Sequence, residues 1–303
     1  MRIFYIIFLS LFSLFISITN ANAALNIFAC EPEWGSLVAE IGKNKVNIFS
    51  ATTAQVDPHY IKARPSLLAK MRKSDFVICS GASLEIGWLP IILQAAGSGK
   101  VQPGNVGFLQ IADIVKTIER PFTIDRKDGD VHPEGNPHLH LNPYNILLAA
   151  KEINVRLQKI DPDNASYYEA NHQIFNKKWQ EAIKKWENEA ASLKDMAIIT
   201  HHTTFAYLEN WLGLKRVATL ELKPGIPATS SHLEDLIALT KQNQIKLIIR
   251  TPFDPQNDSE WLNKKTGIKM LELPFTVDGN KESKDLFSLF DSTIAILKTS
   301  LNR

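Results

Sequence analysis

The chain of 303 residues has only two cysteines, too few for a disulfide framework or a four-thiolate zinc site. It has no surplus of either charge. Against 34 Lys+Arg stand 32 Asp+Glu, a formal net charge of +2, so composition does not argue for nucleic acid or an anionic membrane surface as a partner. Glycine and proline number only 14 and 15, which excludes collagen-like and low-complexity classes. Neither an H-E-x-x-H helix nor a G-x-S-x-G nucleophile elbow occurs. The whole chain is 45% hydrophobic and 22% charged, the profile of a folded protein of about two domains.

A long apolar run stands at the beginning. Arg2 precedes the stretch Ile3–Ile18, and Ala21-Asn22-Ala23 has the small-x-small pattern of a cleavage site. The stretch falls short of the roughly 20 residues of a spanning helix, and no cysteine follows to carry a lipid. Residues 1–23 are therefore expected to be a signal peptide. The mature chain is expected to be exported to the periplasm and not to span the membrane. An oxidising compartment permits a disulfide. Cys30 and Cys79 end the apolar runs LNIFAC and SDFVIC, which read as buried parallel strands. If those strands are neighbours, the two thiols lie within bonding range.

Strand and helix patterns alternate along both halves. LNIFAC, VNIFSA (46–51), FVIC (76–79) and a segment around Gly107–Ile111 alternate with helical stretches. So do MAIIT (196–200), VATLEL (217–222), KLIIR (246–250) and KMLELP (269–274). This predicts an α/β fold with parallel sheets in two Rossmann-like lobes. Between the halves, Pro143–Ile160 reads as one helix, ended by Asp161-Pro162-Asp163. Ala165, Tyr168, His172, Phe175, Trp179, Ala182, Trp186, Ala190 and Leu193 then recur at three-four spacing. That stripe predicts a long rigid linker helix, with a coiled-coil dimer as its alternative use and His172 as a packed core histidine. The expected organisation is a first lobe over 24–160, the linker helix over 161–194 and a second lobe over 195–303.

The other histidines fall in loops. His59 follows the second strand, His201 and His202 follow MAIIT, and His132, His138 and His140 crowd DVHPEGNPHLHLNP (130–143). Ligands of open α/β sheets bind beyond the carboxyl ends of the strands. Imidazole suits Zn, Cu, Ni and Fe, and three histidines plus a carboxylate or water make a normal zinc set. Spacing does not choose within the pairs 138/140 and 201/202.

DPHYIKARPS (57–66), NPHLHLNP (136–143), HTTFAYLENWLGL (202–214), DPDNASYYEAN (161–171) and ELKPGIPATSSHLEDL (221–236) resemble, in that order, the motifs of the cluster A-I solute-binding proteins of zinc and manganese ABC transporters. The resemblance covers the mature chain. It implies two α/β lobes bridged by a rigid helix, the metal ligands His59, His138 and His202, and a monomer that binds Zn2+ as cargo for an inner-membrane ABC permease. Manganese-type members commonly carry Glu at the third ligand position, so His202 favours zinc over a manganese or iron receptor. The family's acidic fourth ligand is missing: Pro274 of ELPFTVDG (272–279) stands in its place. Asp278 is the nearest replacement, with a water or Glu221 as alternatives. The family's long histidine-rich loop shrinks here to His132, Glu134 and His140. In a different class, a zinc hydrolase would need a general base such as Glu31 or Glu33; no enzyme motif supports it, and no enzymatic activity is expected.

Overall fold

The computed structural model describes residues 23–123 and 129–301, so positions 1–22 of the expected signal peptide lie outside the described residues. Strands β1 (Leu25–Ala29), β2 (Val46–Ser50), β3 (Phe76–Cys79) and β4 (Phe108–Gln110) form one parallel sheet in the order β2-β1-β3-β4. Strands β5 (Ala197–Thr200), β6 (Lys215–Thr219), β7 (Leu247–Arg250) and β8 (Lys269–Glu272) form a second in the order β6-β5-β7-β8. The two orders are the same, one lobe repeating the other. Every residue of β3 and of β7 is buried, as parallel strands covered on both faces require. One expected strand is displaced. The strand expected over 217–222 runs from Lys215 to Thr219, and its pairing on β5 carries a register shift between Ile198 and Ile199.

Helices α1 (Pro32–Gly42), α2 (Pro65–Arg72) and α3 (Leu89–Ala96) belong to the first sheet. Helices α6 (Ala206–Leu212), α7 (Ser230–Gln242), α8 (Asn257–Thr266) and α9 (Leu286–Leu301) belong to the second. Between them run α4 (Pro143–Ile160), capped by the Asn142 side chain, and α5 (Ala165–Ala190). The 26 residues of α5 span about 39 Å at 1.5 Å per residue. Its stripe of Tyr168, His172, Phe175, Trp179, Ile183, Trp186 and Ala190 is buried, against α1, α4 and α9. The stripe is thus used inside the chain. Trp179 stacks on Phe175 with ring centroids 5.3 Å apart, and Trp186 stacks on Phe290 of α9 at 4.8 Å. His172 is buried beside Asn154, and burial lowers its pKa.

One apolar core passes through both lobes without a break, from Ile27 and Trp34 to Ile198, Phe205 and Leu286. Among the described residues no helix is long and apolar enough to cross a membrane.

Cys30 and Cys79 lie at the ends of adjacent strands and are disulfide-bonded, with Cα atoms 4.8 Å apart. Beside the bond lie the fully buried carboxyls of Glu31 and Glu85. The Ser80 and Gly81 amides donate to Glu85, yet burial pushes its pKa up to about 7. Burial, and then the charges of Glu85 and Glu33, hold Glu31 well above the usual carboxylate range.

The bond closes a span of 49 residues, so replacing both cysteines by serine should cost about 4 kcal/mol of stability in the chain-entropy account, read by urea unfolding; a loss below about 1 kcal/mol contradicts it. Because Glu85 holds its proton more tightly folded than unfolded, its contribution is complete below about pH 4.5 and is lost as pH rises through about 7. Glu85→Gln keeps an acceptor for the two amides and removes the titration. The thermal midpoint of the metal-free variant should therefore fall less than that of the natural chain between about pH 5 and about pH 7.5.

Candidate metal centre

His59, His138 and His202 meet between the lobes, one ring nitrogen of each lying within 4.8 Å of the others. They open onto a cavity of about 210 Å³ that Asp57, Tyr60, Glu221 and Asp254 also line. His138 is buried, while the side chains of His59 and His202 each keep 11% exposure.

Two of the rings are aimed by the same local device. Asp57 precedes the short turn Pro58–Tyr60, and its Oδ1 accepts from the His59 amide at 2.9 Å and from His59 Nδ1 at 2.7 Å. Asn136 Oδ1 accepts from the His138 amide at 3.0 Å and from His138 Nδ1 at 3.1 Å. In each case an Asx side chain two residues ahead of the histidine fixes both its backbone and its ring, and the intervening proline restricts φ. Asn136 is itself held by its amide nitrogen, which donates to Glu119 and to the Thr203 carbonyl of the other lobe. The third ring is aimed across strands: His202 follows β5, and its Nδ1 lies 2.6 Å from Oε2 of Glu221, which follows β6.

A carboxylate or amide oxygen can only accept, so each of these Nδ1 atoms carries the proton. Each Nε2 keeps its lone pair, the tautomer a metal ligand needs. Burial, and then the neighbouring histidine charges, lower the pKa of His138 well below its usual value. At Asp57 burial acts upward, but the hydrogen bonds and charge of His59 outweigh it and the pKa is lowered. The carboxylate therefore stays ionised beside the ring.

Asp278 is not brought to the histidines. Its side chain is 66% exposed and pairs with Lys284 at 2.8 Å. The tight turn that carries it explains this: the Gly279 amide donates to the Thr276 carbonyl, and Thr276 Oγ1 is anchored on the buried Glu33. Next to Pro274, Phe275 sets its ring against His138, with centroids 5.6 Å apart. Glu221 acts behind His202, as described. His140 is buried, donating from Nε2 to the Phe275 carbonyl at 2.7 Å with Nδ1 facing Glu33 at 3.1 Å. His201 is buried, with Nε2 4.0 Å from Glu221.

His132 comes closer than spacing suggested. Its Nδ1 lies 3.0 Å from the Ala82 carbonyl and its Nε2 3.1 Å from Nε2 of His59. Burial, and then the charge of His59, lower its pKa to about 4.

The chain is 26% identical over 248 residues to the high-affinity zinc uptake system protein ZnuA of Bacillus subtilis, covering 81% of this chain and 76% of that protein. It is 23% identical to the zinc-binding lipoprotein AdcA of Streptococcus pneumoniae, covering 94% of this chain but only 57% of AdcA. It is also 24% identical to the manganese ABC transporter substrate-binding lipoprotein PsaA of Streptococcus anginosus, over 88% of this chain and 85% of that one. A crystal structure of ZnuA superposes with a TM-score of 0.75 at 21% identity, covering 91% of this chain and 99% of that one. The family model for the periplasmic zinc-uptake complex component A, ZnuA, matches residues 27–300, and the chain belongs to that family.

Proposed function

We propose that this protein is a periplasmic zinc receptor that delivers Zn2+ to an ABC permease of the inner membrane, with His59, His138 and His202 holding the ion as cargo. The observation that carries this reading is that the Nδ1 atoms of all three rings are engaged by oxygen acceptors, leaving three Nε2 lone pairs on one cavity between the lobes. Nitrogen donors suit zinc better than manganese, which prefers oxygen. The carboxylates nearest the rings, Asp57 and Glu221, are engaged with Nδ1 atoms, so neither is free to act as the base of a hydrolase.

The functional organisation is a signal peptide over 1–23, lobes over 24–160 and 195–303, and a strut over 161–194. Because the core is continuous across the lobes, release proceeds by movement of the loops that carry the histidines, without wide hinge closure.

Calorimetric titration of the metal-stripped chain should find one tight zinc per molecule and weak manganese. His59→Ala, His138→Ala and His202→Ala should each weaken zinc binding by at least about 100-fold. His172→Ala should change stability and leave affinity alone; tight binding by any of the three ligand variants removes that residue from the site. Glu221→Gln, which withdraws the charge behind His202, should weaken zinc about 10- to 100-fold, and an unchanged affinity would make that contact incidental.

A further inference from the structure

At the start of α1 the chain carries a carboxyl group, that of Glu33, into its dry interior. Glu33, His140 and Thr276 are each no more than 1% exposed. Polar groups buried this deeply are costly unless they are engaged, and the two oxygens of Glu33 face one group from each lobe. Thr276 Oγ1, in the second lobe, donates to Oε2. Oε1 stands 3.1 Å from Nδ1 of His140, in the turn Leu139–Leu141 ahead of α4, and neither atom has a hydrogen-bond partner elsewhere among the described residues. His140 Nε2 in turn donates to the Phe275 carbonyl at 2.7 Å. The ring is used on both sides, by Glu33 and by Phe275, and is not a metal ligand.

These contacts converge on one peptide link. Phe275 is held by its carbonyl and Thr276 by its hydroxyl, so the link between them is fixed at two points against the first lobe. With it is fixed the direction in which the Phe275 side chain leaves the backbone. That ring meets those of His140, Phe253 and His138 edge to face, with centroids 4.8, 5.5 and 5.6 Å apart. His138 is therefore supported twice. Asn136 takes its Nδ1 edge, and Phe275 lies against the ring. Directional bonds in a low-dielectric interior specify one arrangement more tightly than apolar packing does.

We propose that Glu33 is a positioning residue of the zinc site: through Thr276 and His140 it clamps Phe275 against His138, and so sets how firmly the ion is held. This rests on the receptor reading above and deepens it. Glu33 acts through Phe275 and not on the ion, so loss of the clamp frees the His138 ring and zinc leaves faster.

The test follows zinc transfer from the loaded mature chain to a chromophoric chelator, with competition titrations for affinity. Urea unfolding of each metal-free variant separates lost stability from lost retention. Thr276→Val removes the hydroxyl and keeps the shape; it should weaken zinc about 10- to 100-fold, chiefly through faster release. Thr276→Ser keeps the hydroxyl and should hold zinc as the natural chain does. Glu33→Met, which fills the space without a carboxylate, should match Thr276→Val. The decisive comparison is made in Phe275→Leu, itself expected to release zinc faster. There Thr276→Val should have no further effect, because the ring through which it acts is gone, whereas a merely structural hydroxyl would weaken both backgrounds alike. Unchanged retention in Thr276→Val and Glu33→Met, equal losses in Thr276→Ser and Thr276→Val, or equal losses with and without the Phe275 ring would each overturn the proposal. A natural chain that takes no zinc, or a His138→Ala variant that binds as tightly as the natural chain, would instead bring down the receptor reading itself.

Discussion

The buried face of α5 is the constraint on which the rest depends. Phe175, Trp179 and Trp186 are too large to be left in water, and they are covered by α1 and α4 on one side and α9 on the other. Covering them fixes the two sheets relative to each other, because α1 belongs to the first and α9 to the second. The Trp179 indole donates to the Pro143 carbonyl and the Trp186 indole to Asp291, so the aromatic bodies are dry and their polar edges are satisfied. With the sheets so fixed, rings from two lobes face one cavity.

Within that frame the site is assembled by short-range chemistry. Asp57 and Asn136 do the same work at two places on the chain, one by charge and one by an amide. The difference follows burial. His59 keeps some exposure and has an ionised partner, whereas His138 is buried and is paired with a neutral one, which avoids placing a second carboxylate in the dry interior. Glu221 supplies charge to His202 where the cavity is open.

The fold was legible because its signals are periodic. Short apolar strands, alternating helices and a stripe at three-four spacing survive any error of a residue or two at the boundaries. Residues 143–160 and the bond between Cys30 and Cys79 follow from local pattern, since apolar runs of equal character became neighbours. The aim of the rings was also written locally, as Asx-Pro-His at 57–59 and again at 136–138, where the Asx oxygen does the holding. What sequence did not reveal is long-range. Nothing in ELPFTVDG shows that Thr276 will be tied to Glu33, an interaction across 243 positions that turns Asp278 outward and Phe275 inward. The closeness of His132 to His59 depends on a loop pinned by the other lobe, and spacing carries no trace of it.

The matching strand order of the two sheets gives them equivalent positions. At the end of β1 the Cys30 amide donates to the Ile78 carbonyl, and at the end of β5 the His201 amide donates to the Ile249 carbonyl, both at 2.8 Å. The Thr52 amide donates to the Cys30 carbonyl as the Glu221 amide does to the His201 carbonyl. Position by position, Cys30, Glu31 and Thr52 are the counterparts of His201, His202 and Glu221. The same geometric spot therefore carries different chemistry in the two lobes. In the first lobe it is a buried, cross-linked plug of carboxyl and sulfur, and in the second an open mouth of imidazole and carboxylate.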